Sequence, residues 1–459
     1  MVGQDGARGG ASVYVIVVGA GEVGSYVADR LSREHHDVAV IDRDRIALRD
    51  VEEHLDVLTV LGSGTNPEIL RAAGIDKAEM VVAVTSQDEV NLVCCLVGKQ
   101  AGVGRTVCRL EDPELRSRQS AALHEAMGVD LIIDPDHETA QEILELLEYP
   151  GASEVAEMAG GEVVVIGARL PAGAPVVGRS LVEIARDHEP EWEFLFGVIT
   201  RGSETIIPRG DVTLEADDLV RVLCKRKARR QLMRLLGLAR KAPRRIMLLG
   251  GGRTAELVAV ALESRGSEVV IVERDDDRAN ELAERLGGAL VLKGEITDAD
   301  LLEESEVGAF DAVLALTGED DANILACLSA KLEGAKETIA VVHRLSLLPL
   351  LAEAGIDVAL SPRTASANGV LRFVRGDISA VATFLQGEVE VLEVEVREGS
   401  EADGGIIAEL RLPKDVLVGA YVRDGKAQIA RGRSELRDRD HVVLFAVPGS
   451  VESVRRVFS

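Results

Sequence analysis

Two short glycine-rich turns, each followed by a lone carboxylate, are the residues in this chain best suited to holding a ligand. In the first, Val18-Gly19-Ala20-Gly21-Glu22-Val23-Gly24 ends an apolar run and opens an amphipathic one, and Asp42 closes the next apolar run. Gly19 permits a tight turn, Gly21 lets the backbone approach a pyrophosphate, and Gly24 lets helix and strand pack closely. The helix start then points free N–H groups at phosphate. Asp42 is placed to accept both ribose hydroxyls of an adenosine and to repel a 2′-phosphate. This favours NAD or adenine nucleotides over NADP, although Arg43 and Arg45 soften the exclusion.

The second turn, Leu249-Gly250-Gly251-Gly252-Arg253-Thr254-Ala255, repeats the arrangement 231 residues on (19 to 250), with Glu273 for Asp42. Ala255 replaces the third glycine, and Arg253 takes the slot of Glu22, from which it could reach a phosphate. The register continues at 232 (62 to 294) through Gly62/Gly294, Thr85/Thr317, Asp88/Asp320 and Asn91/Asn323. A single such fingerprint is weak; two with matching acids and downstream residues are a repeat. Thr85 and Ser86 follow the fourth apolar run, where hydroxyls meet ribose or phosphate, and Thr317 is the counterpart of Thr85. Asp88 is expected to cap the helix that carries Asn91. Arg109 ends the fifth run at the same edge, either as a phosphate clamp or as the partner of Glu111 or Asp112.

The elements that position these residues read as strands alternating with helices. In the first copy the strands are Val13–Val18, Val38–Ile41, Val57–Val60, Met80–Val84, Thr106–Cys108 and Leu131–Ile133. In the second they are Ile246–Leu249, Val269–Val272, Leu290–Leu292, Ala312–Leu316, Thr338–Val342 and Val358–Leu360. Alternation of this kind predicts an α/β fold of two Rossmann-like, doubly wound parallel sheets. Each is followed by a small α+β lobe of short strands, with Val163–Ile166, Phe196–Ile199, Thr205–Ile207 and Leu219–Leu223 in the first. The small lobes repeat at an offset of 222 (197 to 419) through Gly197/Gly419, Arg201/Arg423 and Asp218/Asp440.

The expected boundaries are 1–12 for a Gly-rich, disordered extension, 13–138 and 139–227 for the first large and small lobes, 228–243 for a basic linker, and 244–365 and 366–459 for the second pair. Lys225–Arg245 carries ten Lys or Arg and no acid. It reads as a solvated linker helix, with a docking surface for an acidic partner as the alternative.

With 52 basic and 78 acidic side chains the net charge is −26, which opposes nucleic-acid binding. No apolar run approaches the ~20 residues needed to cross a bilayer, and no signal-peptide pattern opens the chain, so a soluble protein of the cytoplasmic side is expected. The five cysteines (Cys94, Cys95, Cys108, Cys224, Cys327) lack metal spacing and read as buried, reduced thiols. An NAD-dependent oxidoreductase is the rival reading. It would need an acid/base beside the nicotinamide, yet none of the four tyrosines has a lysine four residues on. No GxSxG, HExxH or GxxxxGK[ST] pattern is present either.

The motifs GAGEVG, LGSGTNPEILRAAGI, MVVAVTSQDEVNLV, ELLEYPGA and IMLLGGG, spread from about Tyr14 to Phe458, resemble the cytosolic regulatory subunits of Trk potassium uptake systems. Those proteins are built of tandem RCK (regulator of potassium conductance) domains. The resemblance implies a non-enzymatic subunit that binds NAD(H), ATP or ADP as a ligand. It would gate a potassium-translocating Trk membrane subunit from the inner face of the cell membrane. It implies a homotetramer with a ring of eight RCK domains, and it puts Gly19, Ala20, Gly21, Glu22, Val23, Asp42, Thr85, Ser86 and Arg109 on nucleotide-contacting positions. Family members often carry a second arginine two places after the Arg109 position, where this chain has Glu111. Asp136 matches an acidic place near a metal in related single-domain regulators, but no metal ligand is assigned.

Overall fold

The computed structural model describes residues 13–202, 204–375, 378–383, 389–447 and 450–459; the expected N-terminal extension, 1–12, lies outside them. In the first large lobe β1 (Tyr14–Val18), β2 (Asp37–Asp42), β3 (Leu58–Leu61), β4 (Met80–Ala83), β5 (Arg105–Arg109) and β6 (Leu131–Ile133) form a parallel sheet ordered β3-β2-β1-β4-β5-β6. Its central strands are rich in β-branched residues and buried on both faces, as a sheet covered by helices demands. Helix α1 (Glu22–Arg33) follows β1, and α2 (Asp88–Gln100) follows β4. The order reverses between β1 and β4, which opens a crevice at the carboxyl ends of those two strands.

Helix α3 (Pro135–Leu147) leaves β6, and the first small lobe follows it. Here β7 (Glu154–Met158), β8 (Val163–Arg169), β9 (Phe194–Arg201), β10 (Glu204–Ile206) and β11 (Leu219–Lys225) form an antiparallel sheet ordered β10-β9-β11-β8-β7. Strand β7 was not expected from the sequence, because EVAEM lacks the apolar density of its neighbours. The basic stretch is also not a solvated linker throughout. Its helix α4 (Arg229–Leu235) buries Leu232 and Met233 in the small-lobe core, together with Leu236 and Leu238 just beyond it. The arginines point outward while the apolar stripe closes the lobe.

The second half repeats this plan. Strands β12 (Arg245–Leu249), β13 (Glu268–Glu273), β14 (Leu290–Lys293), β15 (Ala312–Ala315), β16 (Thr338–Val341) and β17 (Val358–Leu360) form the parallel order β14-β13-β12-β15-β16-β17. Helix α5 (Arg253–Ser264) follows β12, α6 (Asp320–Leu332) follows β15, and α7 (Pro362–Arg375) leaves β17. The second small sheet runs β18 (Ile378–Thr383), β19 (Glu390–Glu395), β22 (His441–Ala446), β20 (Val416–Arg423) and β21 (Lys426–Ile429).

The two large lobes exchange a helix. Ala140, Ile143, Leu144 and Leu147 of α3 share one core with Ile246, Leu248, Ala255, Val258 and Leu262 of the second lobe. Reciprocally, Ala367, Val370, Leu371 and Val374 of α7 share a core with Val15, Val17, Val23, Val27 and Leu31 of the first. Each sheet thus has one face completed by a helix from the other half. The small sheets also meet face to face, with Met158, Val163, Val165 and Val198 against Val391, Ala420, Val443 and Phe445. A Cβ on Gly197 would fall 2.1 Å from the Phe445 ring, and one on Gly419 2.8 Å from Leu223. These equivalent glycines therefore receive the opposing lobe's side chains. All five cysteines are free and buried.

Replacing Ile143 by Ala is expected to destabilise the protein by about 2–5 kcal/mol. Hydrogen exchange should show the lost amide protection in β12 and β13, the strands of the other half, rather than in β4 and β5.

Candidate functional site

The first glycine turn folds as its residue types require. Gly19 sits at φ +111°, which favours glycine, and a Cβ there would lie 3.1 Å from the backbone of Val84 and Thr85. A Cβ on Gly24 would lie 1.9 Å from the Gly19 carbonyl oxygen, so helix and strand touch at that point. Gly21, by contrast, has open space where a side chain would stand. It is the N-cap of α1 and contributes no side-chain acceptor, so the first-turn N–H groups face the crevice uncapped. Such a helix start attracts anions.

Asp42 stands against the turn. Its Oδ2 accepts from the Ala20 N–H at 2.6 Å and its Oδ1 from the Asp44 N–H at 2.8 Å, which pins the carboxylate at the tip of β2. Gly19, Gly21, Glu22, Asp42, Arg43, Thr85, Ser86 and Arg109 all line one cleft of about 360 Å³. Gly62, Ser63, Gly64 and Gln87 line it as well, and the sequence reading did not select them. The glycine pair in LGSGT was the available signal: a Cβ on Gly64 would fall 2.4 Å from Val18. Arg43 reaches across the mouth and donates to Ser63 Oγ at 2.8 Å. Arg109 pairs with Glu111, one of its two expected roles, and its Nε is buried without a partner.

Another missed residue is the one that holds this edge together. Buried Asn91 accepts from the Thr85 N–H at 2.9 Å and the Thr85 hydroxyl at 2.7 Å, and donates to the carbonyls of Thr85 and Arg109 at 2.9 Å each. The Thr85 hydroxyl is therefore committed to the scaffold. Asp88 does not cap the helix. It accepts instead from the Glu111 and Asp112 N–H groups and ties the loop after β5 to the start of α2. Asn323 and Asp320 repeat both devices in the second half. Burial would raise the Asp320 pKa, but donors from His343 and Arg344 outweigh it and hold the carboxyl at about 2.

The second cleft begins identically and then differs. Gly250 has φ +105°, and Glu273 accepts from the Gly251 and Asp275 N–H groups as Asp42 does from Ala20 and Asp44. But Leu282 crowds Gly251, and Arg278 donates to the Gly251 carbonyl at 2.8 Å while pairing with Glu256 and Glu281. Arg274 pairs with Glu319 across the mouth at 3.0 Å. Gly252 is the uncapped N-cap of α5, and Thr317 is held by Asn323. Arg253 is turned away from its own cleft. It donates to Asp134 Oδ2 at 2.8 Å and to the Glu111 carbonyl, both in the first half. Asp136 accepts from the Thr254 hydroxyl at 2.6 Å, and among the described residues no three His, Cys, Asp or Glu gather as a metal set.

Paired sheets with these clefts define a tandem Rossmann-type nucleotide-binding protein with interlocked small lobes. Residues 15–135 and 246–362 match the TrkA-N domain, and 165–237 and 391–459 the TrkA-C domain. The Trk system potassium uptake protein TrkA of Halomonas elongata is 35% identical over 450 residues, 97% of this chain and 98% of that protein. A TrkA homolog of Archaeoglobus fulgidus is 33% identical over 444 residues, 97% of this chain and 99% of that one. In fold the chain resembles the GsuK RCK domain (TM-score 0.60, 17% identity, 100% of this chain and 96% of that chain). It also resembles the GsuK channel bound to NAD (TM-score 0.60, 17% identity, 100% and 80%). The chain belongs to the TrkA family of Trk-system potassium uptake proteins, a family of transport regulators rather than oxidoreductases. No helix among the described residues is long and apolar enough to cross a membrane.

An Asn91→Ala substitution leaves buried backbone groups of Thr85 and Arg109 without partners, and is expected to cost about 3 kcal/mol in urea unfolding. Asp320 has a folded pKa below its unfolded value of 3.8, so its stabilisation is present above pH 3.8 and is lost as pH falls toward about 2. In Asp320→Asn that acid-dependent loss should be smaller when unfolding is followed from pH 5 to pH 2.

Proposed function

We propose that the first cleft binds NAD(H), ATP or ADP as a regulatory ligand, and that the chain is the nucleotide-sensing subunit of a potassium-translocating Trk membrane protein. The observation that carries this reading is the pairing of an uncapped α1 start at Gly21 with the carboxylate of Asp42 in the lining of one cleft. The helix start suits a pyrophosphate, and Asp42 suits the hydroxyls of a ribose. Gly19, Ala20, Gly21, Glu22, Val23 and Gly24 supply the turn; Ser86, Arg43 and Arg109 supply polar groups at the rim. A relative in fold is a channel bound to NAD, and another is GsuK bound to ADP.

In the second cleft Gly250, Gly251, Gly252, Glu273 and Thr317 are the corresponding candidates. There the chain's own Arg278 and Leu282 occupy the turn, so weaker binding is expected. Arg253 would act on that site only by leaving Asp134.

The chain works from the cytoplasmic face of the membrane, and four copies supply a ring of eight RCK domains. The ligand shifts the ring between two arrangements by its difference in affinity for them, with no bond made or broken. The exchanged helices suit this task, because movement of one large lobe is transmitted to the sheet of the other.

Calorimetric titration with ATP, ADP, NADH and NAD tests the reading. Saturable binding without turnover is expected, and Asp42→Ala should weaken it by about tenfold to a hundredfold. Absence of binding, or equal affinity in the variant, would refute the assignment of the first cleft.

A further inference from the structure

The exchanged helices are held at both ends by groups whose charges are reversed between the halves. At the N-terminal end of α3, Asp134 and Asp136 of the first half face Arg253 at 2.8 and 3.9 Å, and Asp134 is paired as well by Arg116 of its own half. At the equivalent end of α7, Arg363 faces Glu22. Glu22 and Arg253 occupy the same place after their glycine turns, and Asp136 and Arg363 the same place after Asp134-Pro135 and Ser361-Pro362. A carboxylate on the sheet side thus meets an arginine on the helix in one exchange, and the signs are inverted in the other.

The C-terminal ends repeat the inversion. Arg105, at the start of β5, donates to the Phe373 and Val374 carbonyls at the end of α7, at 2.9 and 3.1 Å. The cation completes carbonyls that a helix end leaves unpaired. The equivalent position before β16 is Glu337, 3% exposed, which accepts from the Gly151 N–H beyond α3 at 2.9 Å. Three equivalent positions (22/253, 136/363 and 105/337) therefore carry residues of opposite charge type, and each has a partner in the other half.

The apolar faces cannot make this distinction. Both exchanged helices bury small and aliphatic side chains against similar α1 and α5 faces, so shape alone leaves first–first or second–second pairing between two chains available. Such pairing would set Glu22 against Asp134 and Asp136, or Arg253 against Arg363, and would put the Glu337 carboxylate against helix-end carbonyls. Partly buried like charges are costly to bring together, whereas matched pairs are tolerated.

We infer that the reversed charges at Glu22/Arg363, Arg253/Asp134–Asp136 and Arg105/Glu337 select pairing of unlike halves, so that each large lobe takes its missing helix from the other half and not from a like half of another chain.

The test uses the full chain with one cysteine added at a facing place on each of α1, α3, α5 and α7. Exchange within a chain then joins α3 to α5 and α7 to α1 by intrachain disulfides, whereas like pairing joins α3 to α1 or α7 to α5 of another chain. Glu22→Arg, Arg363→Glu and the double variant are compared by unfolding midpoint and by the disulfide-linked species on a denaturing gel. Each single variant is expected to lower the midpoint by about 3 °C and to raise the interchain fraction. The double variant restores opposite charges between unlike halves with exchanged signs, but it also places opposite charges at these positions in like pairing. It should therefore recover the midpoint and keep the raised interchain fraction. A double variant with no more interchain species than the unsubstituted chain would overturn the inference. So would midpoints that fall and recover with no interchain species in any variant, since the pairs would then stabilise without selecting.

Discussion

A parallel sheet is stable only when both of its faces are covered, and in each large lobe one face is completed by a helix that the local chain sends elsewhere. The sheet of the first half buries Val15 and Val17 beneath α7; that of the second buries Ile246 and Leu248 beneath α3. Burying a single large aliphatic side chain contributes about 1.5–3 kcal/mol, so three or more such residues on each helix outweigh what surface ion pairs supply. Neither half can complete its core alone. The site, the small-lobe contact and the coupling between halves all depend on this exchange.

The first cleft is built outward from that core. Burial of β1 and β4 fixes the switch point, Gly19 and Gly24 bring the helix start against it, and Asn91 holds the Thr85 backbone to the end of β5. What lines the cleft is small: an uncapped helix start, one backbone-pinned carboxylate and a few rim groups. The second cleft keeps the same frame with Asn323 and Glu273, yet Arg278 and Arg274 turn its polar groups on one another. The two halves are alike in scaffold and unlike in what they offer a ligand.

The small lobes lock the tandem from the other end. Gly197 and Gly419 hollow the facing sheets so that Phe445 and Leu223 can enter, while Arg201–Asp218 and Arg423–Asp440 brace equivalent turns. Because the large lobes exchange helices and the small lobes share a core, a displacement at one cleft has no purely local response. The proposed regulation by a ligand rests on that coupling.

The sequence by itself determined the local geometry and the repeat. Apolar, β-branched runs specified the strands, Gly19 and Gly24 specified a turn with no room for a side chain, and Asp42 with Glu273 marked the tips of β2 and β13. These are short-range consequences of residue type. It did not reveal the part Asn91 plays, because a lone asparagine on a helix has no periodic signature and matters only through the two strand ends it joins. Nor did it reveal the burial of α4 beneath a basic surface, or that Arg253 belongs to Asp134 rather than to its own cleft. Above all, the apolar stripes of α3 and α7 announce that each must be buried, but not against which sheet. Either face would satisfy the hydrophobic pattern, and only the tertiary structure, which packs α3 on α5 and α7 on α1, decided that each helix crosses to the other half.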